Sequence, residues 1–303
     1  MNTKPTLICV LGPTASGKTA AAIKLAQKLN TEIISADSRQ FYKEISIGTA
    51  KPSFEELAQV QHHFIGHISI TQNYSAGDFE REAIQKIEQF LLKHKVLVLV
   101  GGSGLYVKAI YDGLHPLPKA NEILRNELDS LFANEGIEAL QTLLQQLDVG
   151  RWETIDKLNP QRLMRAIEIA KAEEGSFTQL IQNQIKQRPF NTIKIALDLP
   201  REELYECINQ RVERMLEQGL VDEAKAMLPF KATYALQTVG YKELFDYFDG
   251  FISHEKAVEL IKQHTRNYAK KQLTWLRKEK GIQWIHPRDV SDFANKCLFA
   301  PTL

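Results

Sequence analysis

Cysteine is scarce in this chain: Cys9, Cys207 and Cys297 are odd in number, far apart and free of any C-x-x-C pair. That spacing offers neither a disulfide framework nor a zinc knuckle, and a reduced, cytoplasmic setting is the default expectation. Net charge is nearly absent as well. The 38 basic side chains meet 37 acidic ones for a balance of +1, so total charge argues for neither a nucleic acid nor a membrane, and such a partner must be sought in local clusters. Long apolar runs are missing too. The N-terminal run Leu7 to Leu11 is stopped by Gly12, too short to span a bilayer and without a cleavage site behind it, so no membrane association is expected. A guanine-reading N-K-x-D is absent, and no apolar run ends in the Asp that holds the metal of many ATPases. What is left is an ordinary globular composition of 303 residues, 44% hydrophobic and 25% charged. That is enough for one large domain or two modest ones.

The order of elements is more informative. Leu7 to Leu11 reads as a buried strand, "GPTASGKT" follows at 12 to 19, and Thr19 to Leu29 carries Ile23, Ala26 and Leu29 on one helical face. Strand, glycine loop and helix together are the context in which a G-x-x-x-x-G-K-[ST] match is credible. A second strand is expected at Glu32 to Ala36, a third at Val96 to Val100 and a fourth at Ile193 to Leu199. The tips of the first three carry the glycine loop, Asp37-Ser38 and "GGSG" at 101 to 104. In an open parallel sheet with right-handed crossovers these tips share one edge, where ligands bind. The expected fold class is therefore α/β: a P-loop kinase-like parallel sheet flanked by helices. Between strands three and four, a strand-free stretch rich in Glu, Gln, Leu and Arg is longer than a crossover needs. We read 116–189 as an inserted all-helical subdomain, with 1–115 and 190–303 forming the core.

The loop presents an anion cradle. Backbone amides across Gly12, Pro13, Thr14, Ala15, Ser16, Gly17 and Lys18 surround the site (proline offering no N–H), the Lys18 ammonium adds a charge, and the Thr19 hydroxyl suits a magnesium ion bridging two phosphates. Such a loop reads a diphosphate and not a base. Asp37, at the next strand tip, is the natural general base, its alternatives being a local cap or an indirect contact to a metal. Ser103 could exchange one hydrogen bond in the same space.

Basic residues fall in three places. A helix is expected from Arg201 to Leu228, with Leu204, Ile208, Val212 and Met215 in one quadrant and Arg211 at its edge. A guanidinium beside an apolar stripe calls for an anion, either a ligand or a core carboxylate. "NPQRLMRAIEIA" at 159 to 170 reads as a helix start capped by Asn159, with Arg162 and Arg165 off its apolar stripe. From Lys262 to Lys280 there are seven Lys or Arg against the single acid Glu279. Arg266, Lys270 and Arg277 form a stripe able to follow a nucleic-acid backbone or to face solvent. His62, His63 and His67 lack a carboxylate partner pattern and read as structural or substrate-shaping.

Several stretches then fall into a known order. "GPTASGKT" (12 to 19), "DSRQFYKEISIGTAKP" (37 to 52), "GGSGLY" (101 to 106), "GLHPLP" (113 to 118), "PQRLMRAIE" (160 to 168), "VGYKE" (239 to 243) and "TRNYAKKQLTWLR" (265 to 277) give a chain that resembles the bacterial tRNA dimethylallyltransferases, or tRNA isopentenyltransferases. The resemblance implies transfer of a dimethylallyl group from dimethylallyl diphosphate to N6 of the adenosine just 3′ of the anticodon, with magnesium. The inserted domain would grip the tRNA anticodon stem-loop. It further implies Asp37 as base, with Lys18, Thr19, Arg165 and Arg211 serving the diphosphate and its metal, and Ser103 supporting the reacting groups. Asp37, Ser38, Arg39, Gln40, Ser103, Arg125, Gln161, Arg162, Leu163, Met164 and Arg165 would meet the tRNA. Two positions depart from the family pattern: Ser103, often Thr, keeps its hydroxyl, whereas Gln237, often Arg, loses a cation and leaves a tRNA contact at 237 to 242 open. A P-loop kinase of a small metabolite, and an RNA-binding module with a vestigial loop, are the competing readings. No sequence feature calls for an obligate protein partner, and a monomer is the default.

Overall fold

The computed structural model describes residues 4–115, 117–118, 121–172 and 186–299. The described strands are β1 (Thr6–Leu11), β2 (Ile33–Ser35), β3 (His62–His63), β4 (Val96–Gly101), β5 (Asn191–Leu197) and β6 (Ile282–Ile285). They form one sheet in the order β3-β2-β4-β1-β5-β6, every pairing parallel. Non-consecutive neighbours are the mark of crossover connections, here made by helices. The central strands read as continuous apolar runs because both faces are covered. Leu7, Cys9, Leu97 and Leu99 pack on one side with Phe79, Ala83 and Val107. Ile8, Val10, Val98 and Ile195 pack on the other with Ala22, Leu25 and Ala294.

The helices are α1 (Lys18–Leu29), α2 (Phe54–Gln59), α3 (Ala76–Leu91), α4 (Gly104–Tyr111), α5 (Glu122–Glu135), α6 (Ile137–Leu147), α7 (Val149–Thr154), α8 (Pro160–Ala172), α9 (Arg201–Glu217), α10 (Leu220–Ala226), α11 (Tyr241–Phe248), α12 (His254–Lys278) and α13 (Val290–Phe299). The sheet differs from the four-strand expectation at β3 and β6. β3 is two residues long, too short for periodicity to register, and β6 lies at the sheet edge with none of its four residues fully buried. The single helix expected from Arg201 to Leu228 is two, because Gly219 takes φ 96° and breaks it.

The chain divides into two compact units, Met1–Asp112 with Gln187–Leu303, and Gly113–Lys186. These bounds fall three residues before those expected at each end of the insertion, of which residues 173–185 lie outside the described part. The described insertion is helical, α5 to α8, around Leu128, Leu140, Leu144, Leu163, Met164 and Ile167. Within the larger unit, α9 to α12 and the 42–45 segment build a further core around Tyr241, Val212, Met215 and Ile261.

Candidate active site

The glycine loop is built as an anion cradle. Gly12 has φ 153°, and a β-carbon there would sit 2.7 Å from Ser16 Oγ, so the turn requires glycine. Ala15 is held at φ 62°, a left-handed conformation that costs a residue with a β-carbon about 1 to 2 kcal/mol. The first turn of α1 has Gly17 as its cap and no side-chain capping bond, which leaves its amides for a ligand. Ser16 Oγ is buried without a hydrogen-bond partner, a polar atom whose place in the loop suits an incoming anion. Lys18 Nζ turns back to donate to the Pro13 carbonyl at 2.5 Å. Burial pushes its ammonium down to about 7, the nearby Asp37 charge pulls it up and Arg211 lowers it further.

The other two strand tips meet at the same edge. A β-carbon on Gly101, where an ATPase would carry Asp, would lie 2.8 Å from the Ala36 carbonyl oxygen, so the two tips approach too closely for a side chain. Ser103 Oγ accepts from Ser38 N at 3.2 Å, and the Ser103 and Ser38 hydroxyls are hydrogen-bonded to each other at 3.1 Å. Ser103 thereby fastens β4's tip to that of β2. Asp37 Oδ1 accepts from Arg39 N at 3.0 Å, a local turn that orients the carboxylate. Arg39 reaches to the 234–237 loop, donating to the carbonyls of Tyr234 (2.7 Å) and Ala235 (3.2 Å) with its guanidinium 4.6 Å from the Tyr234 ring centre.

Asp37, Ser103, Thr14 and Arg211 line one cavity of about 880 Å³. Burial lowers the pKa of the Arg211 guanidinium, while the Asp37 charge raises it. An arginine taken from water beside a carboxylate and a lysine is poised for an anion richer than one carboxylate. Tyr268 also lines the cavity. Its phenol is pushed up to about 12, by burial first and then by Asp37, with Ser103 hydrogen bonding in the opposite sense.

Two quoted motifs have a structural part. Glu223 accepts from the amides of Ser46 (2.8 Å), Ile47 (2.9 Å) and Gly48 (2.9 Å) and from the Tyr241 hydroxyl at 2.5 Å. A β-carbon on Gly48 would fall 2.6 Å from the Tyr241 ring. "IGTAKP" and "VGYKE" are thus locked to each other, and Gly48 and Thr49 form part of the cavity wall beside Gln237, Thr238 and Lys242.

The remaining candidates divide. In the inserted unit, Arg125 pairs with Glu168 at 2.5 Å and donates to Gln161 Oε1 at 3.1 Å, while Arg165 donates to Glu168 at 3.0 Å and to the Pro118 carbonyl at 2.5 Å. Arg162 is exposed near Asp156 at 3.5 Å. Leu163 and Met164 are fully buried, so side-chain contact with an RNA is not open to them; the motif that includes them presents Gln161 and Arg162 outward and uses the leucine and methionine for packing. On α12, Arg266 donates to Asn209 at 2.8 Å, and Arg266 and Lys270 each stand 6.0 Å from the Tyr205 ring centre, with Arg201 at 5.1 Å. Arg277 is exposed. The α12 lysine that reaches the cavity is Lys271, adjacent in sequence but about 100° round the helix from Lys270. Helical spacing puts Tyr268 on one face with Ile261, Thr265 and Leu276, whereas it does not single out Lys271 and Gln272; all three fall inside the quoted "TRNYAKKQLTWLR". His63 pairs with Glu32 at 2.5 Å, His62 bonds the Val60 carbonyl, and His67 packs edge-on to Phe41.

Comparison with known proteins agrees with the order of these motifs. The IPP transferase family model matches residues 40–279. A tRNA dimethylallyltransferase of Christiangramia forsetii is 49% identical over 92% of each chain, and one of Cytophaga hutchinsonii 44% over 94% of each. The structure is similar to a full-length tRNA isopentenylpyrophosphate transferase of Bacillus halodurans (TM-score 0.72, 34% identity, 97% of this chain and 96% of that one). It is also similar to a eukaryotic dimethylallyltransferase described as acting on tRNA (TM-score 0.79, 25% identity, 98% and 76%).

Proposed function

The chain belongs to the IPP transferase family, and we propose that it transfers a dimethylallyl group from dimethylallyl diphosphate to N6 of the adenosine just 3′ of the anticodon, releasing diphosphate. Prenyl transfer to tRNA is the activity of the family; the acceptor atom and the residue roles are the proposal. The observation that carries them is the convergence of Asp37, Lys18 and Arg211. The Asp37 charge acts on both cations, and Asp37 and Arg211 line the same cavity.

The N6 amine is a poor nucleophile because its lone pair is delocalised into the purine. Asp37 accepts its proton as the N6–C1 bond forms and the C1–O bond to diphosphate breaks. The departing oxygens gain charge, which the loop amides, Lys18 and Arg211 stabilise from fixed positions. A base stacked in the anticodon loop cannot enter such a cavity, so the adenosine is flipped out. Tyr268 supplies an aromatic face at the wall.

Magnesium fits this donor set as an ion carried by the substrate. Thr19, half-buried at the second position of α1, supplies a hydroxyl, and among the described residues no group of three His, Cys, Asp or Glu could hold a metal alone. The ion would neutralise charge on the leaving diphosphate. No described helix is long and apolar enough to cross a membrane, and a tRNA substrate puts the work in the cytoplasm.

Incubation with unmodified tRNA and either dimethylallyl diphosphate or ATP, followed by nucleoside mass spectrometry, tests the assignment. N6-prenylated adenosine with the prenyl donor alone is expected. Phosphoryl transfer from ATP, or prenyl groups at another nucleoside, would overturn it.

A further inference from the structure

Gln272 lies in α12 with 7% of its surface exposed, and its carboxamide is spent on the glycine loop and the neighbouring strand tip. Oε1 accepts from the Thr14 amide at 2.8 Å, and Nε2 donates to the Gly102 carbonyl at 2.9 Å. The surrounding space is full. A β-carbon on Gly102 would lie 2.5 Å from Gln272 Nε2, 3.4 Å from the Gly12 carbonyl oxygen and 3.5 Å from Lys18 Nζ. The carboxamide and the Lys18 ammonium therefore border the same small volume at the mouth of the loop.

In a loop that holds a nucleoside triphosphate, inward-facing amides follow the phosphates, and the lysine reaches the last two of them. Here the Thr14 amide, which would extend that row of donors toward a further phosphate, is already bonded. The room between it and the tip of β4 is taken by a side chain from another element. We infer that Gln272 closes the far end of the loop and limits its anion to two phosphates, making it the residue that selects diphosphate over triphosphate. The inference rests on the loop being the diphosphate site of the reaction proposed above. A triphosphate would have to expel the carboxamide; its added phosphate could take over the Thr14 N–H, but the Gly102 carbonyl and the displaced carboxamide would lose their partner in a largely buried place. Unpaired buried groups are what give polar sites their strongest discrimination.

The test uses inorganic diphosphate and inorganic triphosphate as inhibitors of tRNA prenylation, titrated against the prenyl donor at fixed free magnesium, with the full chain carrying Gln272, Gln272→Ala or Gln272→Asn. The wild type should prefer diphosphate by about 100-fold, and Gln272→Ala should narrow that preference by about tenfold or more through tighter triphosphate inhibition. Gln272→Asn, whose amide is withdrawn by one methylene, should fall between and decides the matter if the alanine variant does not fold. An unchanged preference in a folded variant that diphosphate still inhibits, or a wild type without preference, overturns the role of Gln272 and leaves the loop assignment standing. A wild type that diphosphate does not inhibit overturns both.

Discussion

Replacing Glu223 by alanine should destabilise the core unit by about 3 to 5 kcal/mol. The carboxylate receives four hydrogen bonds, three from consecutive amides at 46 to 48 and one from Tyr241. A hydrogen bond to a charged group contributes about 1.5 to 3 kcal/mol, so the plain sum would reach about 6 to 12. That sum is too large, because the Ser46 amide is exposed and can be rehydrated, and the Ile47 amide is only partly buried. The Tyr241 hydroxyl sits on a side chain with 0% exposure, and the Gly48 backbone packs against that ring, so their losses are the least compensated. For a unit of this size each kcal/mol lowers the melting temperature by about 2 to 4 °C, giving a fall of about 10 °C. Urea unfolding followed by far-UV circular dichroism measures it, with the slopes compared to confirm that the same surface is exposed. Glu223→Gln keeps the shape, loses the charge and should cost about half as much. The double variant with Tyr241→Phe should lose less than the sum of the two single changes, since the groups share one network. A loss below about 1 kcal/mol for Glu223→Ala would refute this account of the 46–48 segment.

At the chemical site, Asp37→Asn should lower turnover by about 10²- to 10⁴-fold with tRNA binding largely kept, read by single-turnover assay and filter binding; a matching loss of binding would count against a base. Arg211→Ala should raise the donor KM and leave the tRNA dependence little changed, and an unaltered donor dependence would mark it as structural. Lys18 makes the pH dependence specific. Its ligand-free ammonium is held to about 7, so the charge is present below that pH and is lost as pH rises through it, while a bound diphosphate draws the proton back. Donor affinity should therefore weaken above pH 7, approaching about tenfold per unit, and binding at pH 8 should take up about 0.9 proton. Calorimetry in buffers of different ionisation enthalpy reads that uptake, and zero uptake would contradict it.

The parts of this enzyme legible in the sequence are those with a local signature. β1, the glycine loop and α1 are contiguous, and a buried strand ending in Asp37-Ser38 needs no distant residue to be recognised. Arg211 was legible for a related reason, since a cation at the border of an apolar stripe is visible from helical spacing alone. For Tyr268 the helical face was legible but not the cavity it lines, and for Gln272 neither was. They belong to a 25-residue helix whose faces can be counted from spacing, but which face meets the ligand is decided by packing against strand tips more than 160 residues earlier. The same distance hid the role of Glu223, 175 residues from the Gly48 amide it receives. β6 escaped notice because an edge strand with half-exposed residues has no apolar run to detect.

The pairing of β1 with β5 has a bearing on how the protein is made. Thr6 is registered against Asn191, with the whole insertion between them. At a synthesis rate of about 5 to 20 residues per second, one edge of the central strand waits on the order of ten to forty seconds for its neighbour. During that interval Leu7 to Leu11 presents an apolar strand with an open edge, a ready template for association with other nascent chains. Chaperone capture of early chains, and sensitivity of yield to translation speed across the insertion, are the expected cellular counterparts of a sheet whose middle is finished late.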